Sequence, residues 1–323
     1  MTKRVCTFLL SAALLLSGCQ AGQAAPTASG SLSPAQSADI SDNQITFTDA
    51  LGQEFSLERP QRVAAMIGSF ADVWCLAGGK DTLVATANDA WTSFDLGLGD
   101  EVADLGAVKE PNLELLLSAK PDLILASCNT AANLELKDTF AQAGIPAAYF
   151  DIQSFEDYLQ MLDICTQLTG CPENYQQYGQ EVRQLVDESI ARQDGSHPTV
   201  LNIRATGSSC KIKGSQDNVL GEMLLDLGCV NVADSDQSML DNLSLEAIIQ
   251  ADPDYIFAVL QGSDATKAMA TLEATLLSNP AWGSLRAVRE GHFYTMDHRL
   301  YNLKPNALWG ESYEKLAEIL YPQ

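Results

Sequence analysis

Three cations stand together in a chain that is otherwise strongly acidic. The stretch "IRATGSSCKIKG" carries Arg204, Lys211 and Lys213, with no Asp or Glu between Asp194 and Asp217, although the 323 residues hold 42 acids against 19 Lys and Arg. A guanidinium is a rigid fork of donors and an ammonium a compact point charge, so the group suits the oxygens of a carboxylate, catecholate or propionate. Arg299, after the apolar "HFYTM", would add a fourth charge, and Trp91 or Tyr301 could stack on a flat chelate. The competing account is an exposed loop whose charges are merely solvated.

Reactive constellations are missing. No G-x-G-x-x-G follows a strand, and neither a phosphate-binding G-x-x-x-x-G-K-[ST] nor a G-x-S-x-G elbow is present. His197, His292 and His298 are the only histidines and lack metal-ligand spacing, although an oxygen-only site of Asp and Glu stays open. Six cysteines follow Cys19, namely Cys75, Cys128, Cys165, Cys171, Cys210 and Cys229. Cys165 and Cys171 flank a Thr-Gly helix end and could pair. Buried free thiols are the favoured reading, because a chain of this length needs no staples. No resident cofactor is expected, and the acid excess argues against a nucleic-acid partner.

The elements that must position the cations show an internal repeat. "NLELLLSAKPDLIL" (112–125) and "SLEAIIQADPDYIF" (244–257) share a cap residue, Leu-Glu, an apolar run, Pro-Asp and a hydrophobic ending. Each unit predicts a capped helix stopped before proline and then a strand. Strand–helix alternation on both sides gives parallel sheets, so the expected fold is α/β with two Rossmann-like lobes. "ITFTDALGQEFSL" (45–57) predicts a hairpin before the first lobe. "ENYQQYGQEVRQLVDESIARQD" (173–194) lies midway between the repeats and predicts one long helix joining the lobes as a strut.

Upstream, "MTKRVCTFLLSAALLLSGC" has a basic start and an apolar run too short to span a bilayer, ending in a lipobox-like Leu-Ser-Gly-Cys. Export with acylation of Cys19 is expected. A Ser-, Ala- and Gln-rich tether follows, long enough to span roughly 25 to 30 Å as a flexible coil. The expected organisation is a signal over 1–18, a tether over 19–43, a first lobe over 44–170, a bridging helix over 171–195 and a second lobe over 196–323.

Taken together, "ITFTDALGQEFSLERPQRVAAM", the two Leu-Glu…Pro-Asp units, "LGEMLLDLGCVNVA" and "NPAWGSLRAVREGHFYTMD" resemble the substrate-binding proteins of ABC importers for ferric siderophores, haem and cobalamin. The likeness runs from Ile45 to the C-terminus. It implies two lobes bridged by a single long helix, a ligand cleft between them, and partnership with a permease dimer and its cytoplasmic ATPases. It also implies that Glu114 and Glu246, one per repeat, dock on permease arginines. Ligands of open α/β sheets sit at the carboxyl ends of strands. That rule selects 66–70, 88–91, 127–129, 204–213, Gln261 and 297–301, and with them Ser69, Trp91, Asn129, Arg204, Lys211, Lys213, Arg299 and Tyr301 as ligand contacts. An anionic ferric siderophore suits these residues best. Haem is the alternative, with His298, Tyr301 or Met66 as axial ligands, and cobalamin comes third. An exported enzyme on the same two-lobed frame would instead need a nucleophile or acid–base pair in the cleft.

Overall fold

Residues 44–262 and 264–322 are described by a computed structural model of the chain. The expected signal over 1–18, Cys19 and the expected tether over 19–43 lie outside the described residues.

The hairpin forms as β1 (Ile45–Thr48) and β2 (Glu54–Leu57), paired antiparallel. In the first lobe β3 (Val63–Ala65), β4 (Leu83–Thr86), β5 (Ala103–Asp104), β6 (Leu123–Ser127) and β7 (Ala147–Phe150) form a parallel sheet in the order β5-β4-β3-β6-β7. Every residue of β6 and β7 is buried, as strands covered on both faces must be. In the second lobe β8 (Thr199–Ala205), β10 (Val230–Asn231), β11 (Tyr255–Leu260) and β12 (Phe293–Met296) run parallel in the order β10-β8-β11-β12. The basic stretch is not a loop. Cys210–Lys213 is β9, antiparallel to the end of β8.

The two repeats are built alike. Asn112 and Ser244 each accept a hydrogen bond from the amide three residues on, at 3.0 and 3.3 Å. The residue before each proline, Lys120 or Asp252, turns into the left-handed region, with φ of 48° and 40°. The aspartate after each proline then ties its strand to the central one. Asp122 accepts from the amides of Gln61 and Arg62, just ahead of β3, and Asp254 accepts from the amide and hydroxyl of Thr199, the first residue of β8. An arginine closes each unit from outside: Arg62 donates to the carbonyls of Ala119 and Lys120, and Arg286 to that of Asp252.

Between the lobes the chain is helical from Glu173 to Ile190, with a π turn over Gln176–Gln180 whose Tyr178 carbonyl accepts from the Tyr158 hydroxyl. It is not the sole link. The last helix, Trp309–Leu320, returns across the seam: Trp309 packs 5.9 Å from Phe155 of the first lobe, while Tyr313 and Tyr321 bond to Asp226 and the Leu227 carbonyl of the second. Gly310 lets it press on the strut, since a Cβ there would lie 2.8 Å from Leu185. One hydrophobic core consequently runs through both lobes, from Phe70, Phe150 and Tyr158 to Met223, Phe257 and Tyr313.

Candidate functional site

Each lobe sends the ends of its strands toward a cavity of about 700 Å³. From the first lobe come Ser69 after β3, Asp89 after β4, Asn129 and Thr130 after β6, and Gln153 after β7. The second contributes Asn202 and Arg204 of β8, Lys213 of β9 and Gln261 after β11, and Asn302 to Lys304 follow β12. This is the carboxyl-end arrangement of open α/β sheets.

The antiparallel pairing of β8 with β9 explains how the cations converge. Register pairs Arg204 with Lys211 and Asn202 with Lys213, so these four side chains share one face, whereas Ile203 pairs with Ile212 and both enter the core behind. Along that face Lys213 lines the cavity beside Arg204, while Lys211 is exposed and lies outside the lining. Lys304 joins them from the far end of the chain. Arg204, Lys213 and Lys304 take part in none of the ion pairs among the described residues. Burial depresses the basicity of all three, and at Lys213 the charge of Arg204 adds to the effect. Two carboxylates share the lining. Asp89 accepts from the Gly68 amide at 2.8 Å and burial raises its pKa, and Asp217 sits near Lys213. Around these charges stand amides and hydroxyls, with Ile67, Phe94, Val108, Val219, Val259 and Leu303 as the apolar parts.

Of the residues expected from the sequence, Ser69, Asn129, Arg204, Lys213 and Tyr301 line the cavity. Asn129 donates to Asp151 at 2.7 Å, which fixes its amide. Three contacts need correction and a fourth, Tyr301, is curtailed. Arg299 is committed elsewhere, in an ion pair with Asp72 at 3.0 Å and over the Phe94 ring, so it is no free cation of the cleft. Trp91 lies outside the lining, its indole N–H directed at the Leu98 carbonyl and its ring packed on the core. Lys211 is exposed and lies outside the lining. Tyr301 is 4% exposed and its hydroxyl donates to the Ser312 carbonyl, so it offers a ligand little surface and no free hydroxyl. The haem set fares no better: Met66 is completely buried in the first lobe, His298 lies outside the lining, and burial raises the Tyr301 phenol above its ordinary pKa. Lys304 is the one cation of the lining that the sequence expectation lacks, and Thr130, Gln153, Asn202 and Asp217 join it unforeseen. An acid-free window from His298 to Gly310 was the available signal, the same kind that marks the hairpin.

Glu114 and Glu246 are both exposed, one in the first turn of each repeat helix. All six cysteines of the described residues are free, and only Cys165 and Cys229 are fully buried.

The family model for periplasmic binding proteins matches residues 63–300, from β3 to the helix after β12. The chain belongs to that family. Its α/β architecture with parallel sheets in two lobes is the one the binding-protein family shares. Among curated members, the Fe(3+)-citrate-binding protein YfmC of Bacillus subtilis is 26% identical over 91% of this chain and 88% of its own length. The iron-uptake system-binding protein of the same organism is also 26% identical, over 67% of this chain and 66% of that protein. Staphylococcus aureus SirA, solved with staphyloferrin B, superposes with a TM-score of 0.65 at 21% identity, covering 86% of this chain and 97% of that one. At such identity the superposition speaks for the fold.

Proposed function

We propose that this protein is the substrate-binding component of an ABC importer, which captures an anionic ferric chelate outside the cytoplasmic membrane and delivers it to a permease. The observation that carries the reading is the set Arg204, Lys213 and Lys304: three cations in one cleft of about 700 Å³ that join none of the ion pairs among the described residues. Holding such charges partly out of water costs free energy unless a ligand supplies the counter-charge. The amide- and hydroxyl-rich lining suits a ligand with many oxygens, such as a carboxylate or hydroxycarboxylate chelate, better than a porphyrin. Relatives named for Fe(3+)-citrate binding and for iron uptake agree with that chemistry. Glu114 and Glu246 would dock on the permease, and a lipid on Cys19 would hold the protein at the membrane.

Titration of the purified protein with ferric citrate, a ferric tris-catecholate, haemin and cobalamin tests the reading. A ferric chelate is expected to bind tightest. Substituting Met for Arg204 or Lys304 should weaken it about 10- to 100-fold, the worth of a charge-assisted hydrogen bond. Tight binding of the neutral corrinoid, indifferent to both substitutions, would overturn the proposal.

A further inference from the structure

Arg299 lies behind the cleft wall, with its side chain 19% exposed and that of its partner Asp72 14% exposed. Its guanidinium makes three kinds of contact. Nη2 donates to Oδ2 of Asp72, on the first helix of the first lobe (Gly68–Leu76), at 3.0 Å. Nη1 donates to the carbonyls of Lys304 and Pro305, at 2.7 and 3.3 Å. The plane lies 4.1 Å from the centre of the Phe94 ring. Asn306, completely buried and held at a φ of 58°, reinforces the junction by donating to Asp72 and to the carbonyl of Ser69, both at 2.9 Å. Ser69, Phe94 and Lys304, which these groups touch, all line the cleft.

The segment from Asn302 to Pro305 has no helix or strand of its own. The Leu303 amide donates to the His298 carbonyl at 2.8 Å, but the Lys304 carbonyl itself is held by Arg299, and Arg299 in turn by a carboxylate on the opposite lobe. We propose that Arg299 is a positioning residue, a keystone across the seam that sets Lys304 and Phe94 at the cleft wall, so that anion binding and the contact between the lobes stand or fall together. The inference rests on the anionic-chelate reading for the role of Lys304. A lysine could not substitute, because one ammonium cannot stack on a ring while reaching a carboxylate and two carbonyls in a fixed plane.

The test compares wild type, Arg299→Lys, Lys304→Met and the double variant, with circular dichroism to confirm folding. With ferric citrate as probe, each single substitution should weaken binding about 10-fold or more, and the double should be no more than about 2-fold weaker than Lys304→Met, since both remove one interaction. Losses that multiply would overturn the keystone. A second measurement needs no chelate: the rate at which an amine acylating reagent modifies Lys304, followed by mass spectrometry from about pH 7 to about pH 10. Burial holds the Lys304 ammonium below its ordinary pKa against the pull of Asp151 and Asp157. In Arg299→Lys the freed segment should let it titrate nearer the ordinary lysine value, while Lys213 stays as it was. An unchanged Lys304 profile in the folded variant would sink the proposal. If wild type fails to bind ferric citrate, the chelate reading falls and the acylation profile still decides the keystone. Asp72→Asn, which keeps the shape and removes the counter-charge, should shift Lys304 in the same direction and serves if Arg299→Lys does not fold.

Discussion

Lys304 shows how a binding site can work against the stability of its own fold. An ammonium whose folded pKa lies below its unfolded value destabilises the protein at pH values beneath both, and that cost disappears as pH rises through the folded value toward the ordinary ~10.4. Lys304→Met should raise the melting temperature of the ligand-free protein by roughly 1 to 3 °C at neutral pH, a small effect because the side chain is only half-buried. The same substitution should weaken chelate binding. Affinity of the wild type should also fall as pH rises, at a lower pH than for a freely solvated lysine, because Lys213 and Lys304 both lose charge early. Calorimetry over a pH series reads both effects, and a Lys304→Met protein that melts lower than wild type contradicts them. Arg204 and Lys213 could be found in the sequence because an acid-free window in an acidic chain is visible locally. The fate of Arg299 could not, since its partner Asp72 lies 227 residues away and meets it only through the fold.

At the scale of elements, the duplicated Leu-Glu…Pro-Asp unit was almost wholly readable: cap, helix, proline stop and strand all form where the residue types require. Two features lay beyond reading. The left-handed residue before each proline contradicts the usual extended preference there, and tertiary hydrogen bonds to the following aspartate hold it. The strand Cys210–Lys213 was not legible although "CKIK" alternates polar and apolar residues, because four residues give too short a signal. The unit's aspartate should matter most in the second lobe. Burial would raise the pKa of Asp254, but bonds from Thr199 and the charges of Arg286 and His292 outweigh it and leave the carboxylate below its ordinary value. Its stabilisation is therefore present above the unfolded value near ~3.9 and lost as pH falls through the folded one. Asp254→Ala should cost about 2 kcal/mol in chemical denaturation. The corresponding change at exposed Asp122 should cost less, and the reverse order would refute the account. The glutamates of the same units should leave both stability and ligand affinity alone. Glu114→Ala with Glu246→Ala is expected to abolish uptake in cells, and normal import by the double variant would remove the docking role.

At the scale of the whole molecule, the lobes are joined by more than the strut foreseen from sequence. The helix from Glu173 to Ile190, the returning helix Trp309–Leu320 and a core that runs through both lobes all resist bending. Solution scattering with and without ligand should give nearly the same radius of gyration, and a large fall on binding would show that the seam hinges freely. The returning helix could not be placed from its sequence, because an amphipathic pattern gives a buried face without saying which lobe covers it. Its position also bears on how the chain acquires its structure in time. Trp309 is completely buried against Phe155, so the first lobe keeps an open apolar face until the final residues arrive. A chain that emerges N-terminus first leaves that face bare after its own strands are complete. A chain ending at Leu308 should hold an unfinished, dye-binding first lobe prone to association, whereas the full chain closes both lobes in a single late step.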